Sequence, residues 1–275
     1  MKDLAYLCNM DYTLNCNGRL LSLAKPQVMG ILNMTPDSFY AASRQQSEGA
    51  VADRVEQILT EGGTIVDIGA CSTRPGSEPV GEAEEWDRLR KALSVVRRVA
   101  PEAIVSVDTF RASVARRAVE EYGADIINDV GCADQLEMFR MVSRLHVPYI
   151  YMSRRSTMHD VLMDCAEAVD TLRSMGQKDI VLDPGFGFGK GLEENYAVLG
   201  GLERMQMLQL PVLVGVSRKR MVYELLGTSA EEALNGTTVL HTMALLKGAS
   251  ILRAHDVRQA VECIKLVAAA NKPEK

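Results

Sequence analysis

Asp67-Ile-Gly-Ala-Cys-Ser-Thr-Arg-Pro-Gly76 is the polar ending of one short apolar run, and seven other runs in the chain end in the same way. They are Val28-Met-Gly-Ile-Leu-Asn33, Ile104-Val-Ser-Val-Asp108, Asp125-Ile-Ile-Asn128, Tyr149-Ile-Tyr-Met-Ser153, Ile180-Val-Leu-Asp183, Val212-Leu-Val-Gly-Val-Ser217 and Ile251-Leu-Arg-Ala-His255. Continuous apolar runs suit strands of a parallel sheet, which is covered on both faces. Helical spacing fills the intervals, as in Val51, Val55, Ile58 and Leu59. The helices are expected at about 47–61, 82–99, 111–121, 134–145, 158–176, 192–208, 218–247 with a break, and 256–271. Eight strand–helix units predict an α/β fold, a closed (β/α)8 barrel, whose polar strand ends share one mouth. An open doubly wound sheet is the competing architecture. It would need some runs to be loops, and its Gly-rich first turn is missing, because Gly30 leads into Ile31-Leu32-Asn33.

Ahead of the first run, residues 4–24 alternate loosely around Asn17-Gly18, a hairpin signal. Such a hairpin is placed to plug the bottom of the barrel. Gly62-Gly63, Gly123 and Gly176 stand where helix C-caps belong. Gly227-Thr-Ser229 breaks the long 218–247 stretch, with Ser229 and Glu232 spaced as a capping box. No linker separates the halves, so residues 1–275 are read as one domain.

Hydrophobic residues make up 47% of the 275, enough for a large core, and the net charge of -5 argues against a nucleic-acid partner. Local cationic groups exist, however: Arg218-Lys219-Arg220 in one run, with Arg74 and Arg253 on others. The six cysteines form no C-x-x-C pair and suit reduced thiols. The N-terminus lacks a signal-peptide core, and no run approaches the roughly 20 apolar residues of a membrane span. A cytoplasmic enzyme without a membrane partner is expected.

Asp108 and Asp183 end two runs and Asn128 a third. Carboxylates there need donors, and a flat heterocycle with ring N–H and exocyclic NH₂ groups presents them. Each Asp alone could equally cap a following helix, Asp183 before Pro184 most readily. The three together favour a site. Gly185 to Gly191 is dense in glycine but lacks the phosphate-loop pattern. Val216-Ser-Arg-Lys219 opens a helix after the seventh run and would attract an anion. Arg253 suits bidentate phosphate contact, and His255 could donate to the same anion. Asn33 and Asp37 flank the Thr35-Pro36 turn and offer oxygen ligands for Mg²⁺.

Taken together, Met29-Gly-Ile-Leu-Asn-Met-Thr-Pro-Asp-Ser-Phe39, Asp67-Ile-Gly69 with Ser72-Thr-Arg-Pro-Gly76, Ser106-Val-Asp-Thr109, Ile126-Ile-Asn-Asp129, Leu182-Asp-Pro-Gly-Phe-Gly-Phe-Gly-Lys190, Gly215-Val-Ser-Arg-Lys219 and His255-Asp-Val257 closely resemble the dihydropteroate synthase family, the folate-pathway enzymes targeted by sulfonamides. The resemblance implies a (β/α)8 TIM barrel that dimerises. It implies condensation of 6-hydroxymethyl-7,8-dihydropterin pyrophosphate with p-aminobenzoate, with Mg²⁺ assisting and pyrophosphate released. It places the pterin ring on Asp108, Asn128, Asp183 and Lys219, and the diphosphate near Asn33, Arg74, Arg253 and His255, with Mg²⁺ at Asn33. Thr73, Pro75 and Phe39 would help form the p-aminobenzoate pocket.

The chain also departs from that pattern. Tyr40-Ala-Ala-Ser-Arg44 replaces a Gly-rich continuation, and Cys71 stands where a Glu is common. The loop after Ser153 is short, and Arg220 replaces a Ser where the family holds the p-aminobenzoate carboxylate. Arg220 is therefore expected to pair with that carboxylate. Two other readings compete. A non-catalytic pterin-binding paralogue would bind without turnover. A methyltetrahydrofolate-dependent methyltransferase would not need the Ser-Thr-Arg-Pro-Gly and Ser-Arg-Lys anion groups.

Overall fold

Eight parallel strands assemble from the eight apolar runs in a computed structural model that describes residues 11–34, 44–71, 80–131 and 134–271. The first two strands are the hairpin, β1 (Thr13–Cys16) and β2 (Arg19–Ser22). The barrel strands are β3 (Gln27–Asn33), β4 (Ile65–Gly69), β5 (Ile104–Asp108), β6 (Ile126–Asp129), β7 (Tyr149–Met152), β8 (Ile180–Asp183), β9 (Leu213–Val214) and β10 (Ile251–Ala254). They pair in the order β8-β7-β6-β5-β4-β3-β10-β9. A parallel bridge between Leu182 and Val212 closes the ring, with Leu182 N–H donating to the Pro211 carbonyl at 2.9 Å. The closed barrel displaces the open-sheet alternative.

Helices cover the outside: α1 (Arg44–Thr60), α2 (Glu82–Val99), α3 (Ala112–Tyr122), α4 (Gln135–Leu145), α5 (Met158–Ser174), α6 (Leu192–Gly200), α7 (Arg220–Leu226), α8 (Leu234–Leu246) and α9 (Val257–Ala270). Outward strand residues such as Val66, Val105, Ile127 and Leu182 pack against helix residues such as Ile58, Leu89 and Val142 in one continuous core. Among the described residues, no helix is long and apolar enough to cross a membrane.

Side chains alternate across a strand, so every second residue faces the barrel axis. The lowest inward positions are Met29, Ile65, Ile104, Ile126, Ile150, Val181, Leu213 and Ile251, one from each strand. They pack on Leu14, Cys16, Leu21 and Leu23 of the hairpin segment, which closes the lower end of the barrel. The hairpin turns through Asn17 and Gly18, both at positive φ (53° and 87°), the twist that a two-residue turn requires. Arg19 ties it down, donating to buried Asp125 at 2.6 Å, and Asp125 also accepts from Arg97 and from Val105 N–H. Two residues further along, five of the eight inward positions are polar, Asp67, Ser106, Asn128, Asp183 and Arg253, and the others are Ile31, Met152 and Gly215.

Three local expectations need correction. The 192–208 helix divides at Gly200-Gly201 into α6 and a 3-10 turn over Leu202–Leu208. The segment Val216 to Lys219 is a turn, and α7 starts only at Arg220. The Ser229–Glu232 capping box does not form: the Thr228 hydroxyl donates to the Glu232 carboxylate instead, and Ala233 precedes α8.

Candidate active site

Arg253 occupies the centre of the mouth. Its Nε donates to Asp67 Oδ2 and its Nη2 to Asp108 Oδ2, both at 2.7 Å, so β10 is joined to β4 and β5 across the barrel. Burial works against this guanidinium charge. Asp67 and Asp108 outweigh it and hold Arg253 protonated more firmly than usual. Its Nη1 makes no hydrogen bond among the described residues and remains for a ligand.

The carboxyl of Asp108 is pushed up to about 7 by burial, with Arg253 pulling the other way and Asp67 adding like charge. It therefore carries a proton for part of the time at neutral pH and is not the plain acceptor that the sequence suggests. Neither Asp caps a helix. Asp183 Oδ1 accepts from Gly185 N–H at 2.7 Å, which fixes the turn after β8, while Asp108 is taken up by Arg253. Burial raises the Asp183 carboxyl too, against the nearby Lys219 ammonium. Asn128 completes this wall, with its Nδ2 lying 3.3 and 3.4 Å from the Asp67 oxygens.

The glycine-rich turn after β8 receives Lys219 from the turn after β9. A Cβ at Gly185 would collide with the Ser153 carbonyl oxygen, and one at Gly187 would lie 3.0 Å from Lys219 Cδ. Both glycines have positive φ, so a side chain is excluded twice over. Lys219 Nζ donates to the Phe186 carbonyl and sits 4.5 Å from the centroid of the Phe188 ring. Burial lowers the ammonium to about 8, with Asp183 opposing. Lys190 staples the same turn by donating to the carbonyls of Gly185, Phe188 and Ser153.

His255 lies at the end of β10. Ser217 Oγ accepts from the His255 backbone N–H and lies 3.1 Å from Nδ1. Burial, and then the Arg253 charge, push the imidazole down to about 4. At neutral pH it is thus a hydrogen-bonding group without charge; Ser217 can donate to Nδ1, which leaves Nε2–H as the ring's donor. Asn33 ends β3. Its Oδ1 and Asp108 Oδ2 each lie 3.6 Å from the point where a Cβ would stand on Gly69, so both open onto the same small space. No cluster of three or more His, Cys, Asp or Glu among the described residues could cage a metal. One amide oxygen beside an anion site does fit Mg²⁺, which keeps much of its shell as water and substrate phosphate.

The structure thus brings together Asn33, Asp108, Asn128, Asp183, Lys219, Arg253 and His255. Phe39, Thr73, Arg74 and Pro75, like Asp37, lie outside the described residues. Two members of the basic triplet stand apart. Arg218, at φ 53°, turns away to pair with Asp256 and to bond the Ala230 and Glu231 carbonyls. Arg220, with 74% of its side chain exposed, pairs with Glu224 one turn along α7.

Residues missed in the sequence are Asp67, Ser106 and the groups that anchor Cys71 and Val80, on either side of Ser72-Thr-Arg-Pro-Gly76. Fully buried Glu85 accepts from Thr109 Oγ1 at 2.6 Å and pairs with Arg111. Arg111 also reaches Cys71 Sγ at 3.7 Å and the Val80 carbonyl at 2.7 Å, so it holds both ends of the stretch that carries Thr73, Arg74 and Pro75. Burial and the Glu85 charge raise the Cys71 thiol to about 11, which keeps it protonated and unsuited to act as a nucleophile.

The Asp108 shift has a measurable sign. The folded state keeps this proton to about pH 7, whereas the unfolded chain loses it near pH 4, so stability falls as pH rises between those values. Asp108→Asn removes that contribution. Its Tm relative to wild type is expected to be higher at pH 8 than at pH 5, by on the order of a few degrees. An equal difference at both pH values would refute the assignment.

Comparison with known proteins identifies the family of this barrel. Residues 29–255 match the pterin binding enzyme family. A dihydropteroate synthase from Bacillus subtilis is 38% identical over 254 residues, covering 88% of each chain, and one from Clostridium beijerinckii is 35% identical over 249 residues, covering 87% of this chain and 92% of its own. Among solved structures, Xanthomonas albilineans dihydropteroate synthase with 4-aminobenzoic acid superposes with a TM-score of 0.86 at 34% identity, covering 96% of this chain and all of that one. With a matching family domain, relatives alike over most of their length and a matching barrel, the chain belongs to the dihydropteroate synthase family of pterin-binding transferases.

Proposed function

We propose that the barrel joins 6-hydroxymethyl-7,8-dihydropterin pyrophosphate to p-aminobenzoate, giving 7,8-dihydropteroate and pyrophosphate. One observation carries this reading: a wall of acceptors meets, in a single mouth, a cation with one N–H edge unused among the described residues. The solved Xanthomonas albilineans relative also occurs in complex with 7,8-dihydropteroate. The ring lies against Asp183 and Asn128, whose oxygens accept from its N–H and NH₂ groups, and against Asp108, which accepts when ionised and can donate when protonated. Lys219, fixed on the Phe186 carbonyl, donates to the carbonyl edge of the ring. The diphosphate takes Arg253 Nη1, with His255 Nε2–H as an uncharged donor and Arg74 as a further cation.

The route is dissociative. The bond from the methylene carbon to the diphosphate oxygen breaks, and its electron pair leaves with the diphosphate. The methylene cation is spread over the pterin, close to buried carboxylates that offset its positive charge. The amine nitrogen of p-aminobenzoate then forms the new C–N bond and releases one proton. Prepositioned charge of this kind is commonly the largest catalytic contribution. Asn33 would hold Mg²⁺, which supplies positive charge to the diphosphate oxygens when bound.

Exposed apolar side chains support a homodimer. Val239, Met243 and Leu246 form a stripe on α8, beside Leu225 and Leu226 of α7, and all five are more than a third exposed. Cys16, Cys71, Cys165 and Cys263 are free thiols, which favours the cytoplasm.

Purified protein is expected to release pyrophosphate only with both substrates and Mg²⁺, and Arg253→Lys is expected to lower that rate about a hundredfold or more, since Lys cannot reproduce the fork. Tight pterin binding without turnover would favour the non-catalytic paralogue. Arg220 remains the partner for the p-aminobenzoate carboxylate, because its exposed pair with Glu224 is worth about 1 kcal/mol or less and exchanges readily. Arg220→Ala should raise the KM for p-aminobenzoate and leave kcat unchanged; an unaltered KM removes that role. In sedimentation the protein should run as a dimer, and Val239→Asp with Met243→Asp as a monomer.

A further inference from the structure

Asp67 stands apart from the other acidic groups of the mouth. It lies in the middle of β4, is fully buried, and touches ligand-facing residues without ending a strand itself. Its Oδ2 accepts from Arg253 Nε at 2.7 Å, and both of its oxygens lie within 3.4 Å of Asn128 Nδ2. These two partners serve different halves of the proposed substrate, the diphosphate and the ring.

We propose that Asp67 is a positioning residue that sets the hydrogen-bonding polarity of the site. The proposal rests on the pocket assignment given under the proposed function. An ion-paired carboxylate can only accept hydrogen bonds. Facing an amide, it draws the NH₂ group towards itself and leaves the carbonyl oxygen outward. Asn128 Oδ1 therefore points at the ring, where an acceptor is needed for N–H donors. On the other side, Asp67 and Asp108 occupy the Nε and Nη2 edge of Arg253, which turns Nη1 towards the anion. An apolar residue would be cheaper to bury here than a carboxylate. The layer directly beneath, with Ile65 on the same strand, is wholly apolar.

The role can be separated from a merely structural one by exchanging the two side chains. In Asp67→Asn, the oxygen of the introduced amide serves Arg253 and its NH₂ faces Asn128. Asn128 must then turn its own oxygen inward and present NH₂ to the ring. In the double variant Asp67→Asn with Asn128→Asp, the amide NH₂ on β4 meets a carboxylate again. The other oxygen of that carboxylate, now on β6, faces the ring as an acceptor. Full-length wild type, Asp67→Asn, Asn128→Asp and the double variant would be titrated with 6-hydroxymethylpterin and, separately, with inorganic pyrophosphate, with Tm recorded for each.

Asp67→Asn is expected to weaken pteridine binding about tenfold or more, since a donor would face a donor. Asn128→Asp is expected to weaken it as well, by placing two carboxylates together. The double variant is expected to recover most of the pteridine affinity, whatever its Tm. Unchanged affinity in Asp67→Asn, or a double variant no better than Asn128→Asp alone, would overturn the proposal. Wild-type protein that binds neither probe refutes the pocket assignment, and the proposal with it. Wild-type binding with an unaltered Asp67→Asn refutes the Asp67 role alone.

Discussion

A carboxylate enters the interior of a barrel only if something cationic meets it there. This protein carries Asp67, Asp108 and Asp183 into one interior, and Arg253 and Lys219 are what they meet. The rest of the mouth follows from that requirement. β10 must bring an arginine across to β4 and β5, and the turn after β9 must deliver a lysine to the end of β8. The glycines at 185 and 187 are the backbone's answer: the first lets the turn pass the Ser153 carbonyl, and the second leaves room for the lysine stem. Burial still works against both charges, lifting the Asp108 carboxyl to about 7 and bringing the Lys219 ammonium down to about 8.

The same strands serve two purposes at different heights. Low in the barrel the inward positions are Ile, Val, Leu and Met, packed on the hairpin. One pleat higher five of the eight are Asp, Ser, Asn or Arg. Electrostatic strain at the mouth is thus carried by a scaffold whose stability comes from elsewhere. Changes at the mouth can be tolerated by the fold and still be lost to function.

Much of the barrel was legible, because a continuous apolar run followed by a polar residue is a strong signal for a buried parallel strand. The rule that catalytic groups lie at strand ends found Asn33, Asp108, Asn128, Asp183 and His255. It missed Asp67 and Ser106, which lie two residues before the ends of their strands. Counting back by two along each run would have placed them on the inner face. The basic triplet was less tractable. Lys219 points inward and Arg218 outward because Arg218 adopts a left-handed conformation, and nothing in the residue types announces that. Similarly, Ser229 and Thr228 are equally good partners for Glu232 on paper, and the chain path alone selects the threonine.

With the hairpin seated against its lower rim, the described residues leave the barrel its entrance at the opposite end. Whatever sits deepest must arrive first and depart last. On the proposed placement, a pterin that goes to the inner wall would be kept out by any arylamine that reached the threshold before it, so a shared entrance imposes a sequence on the two reactants.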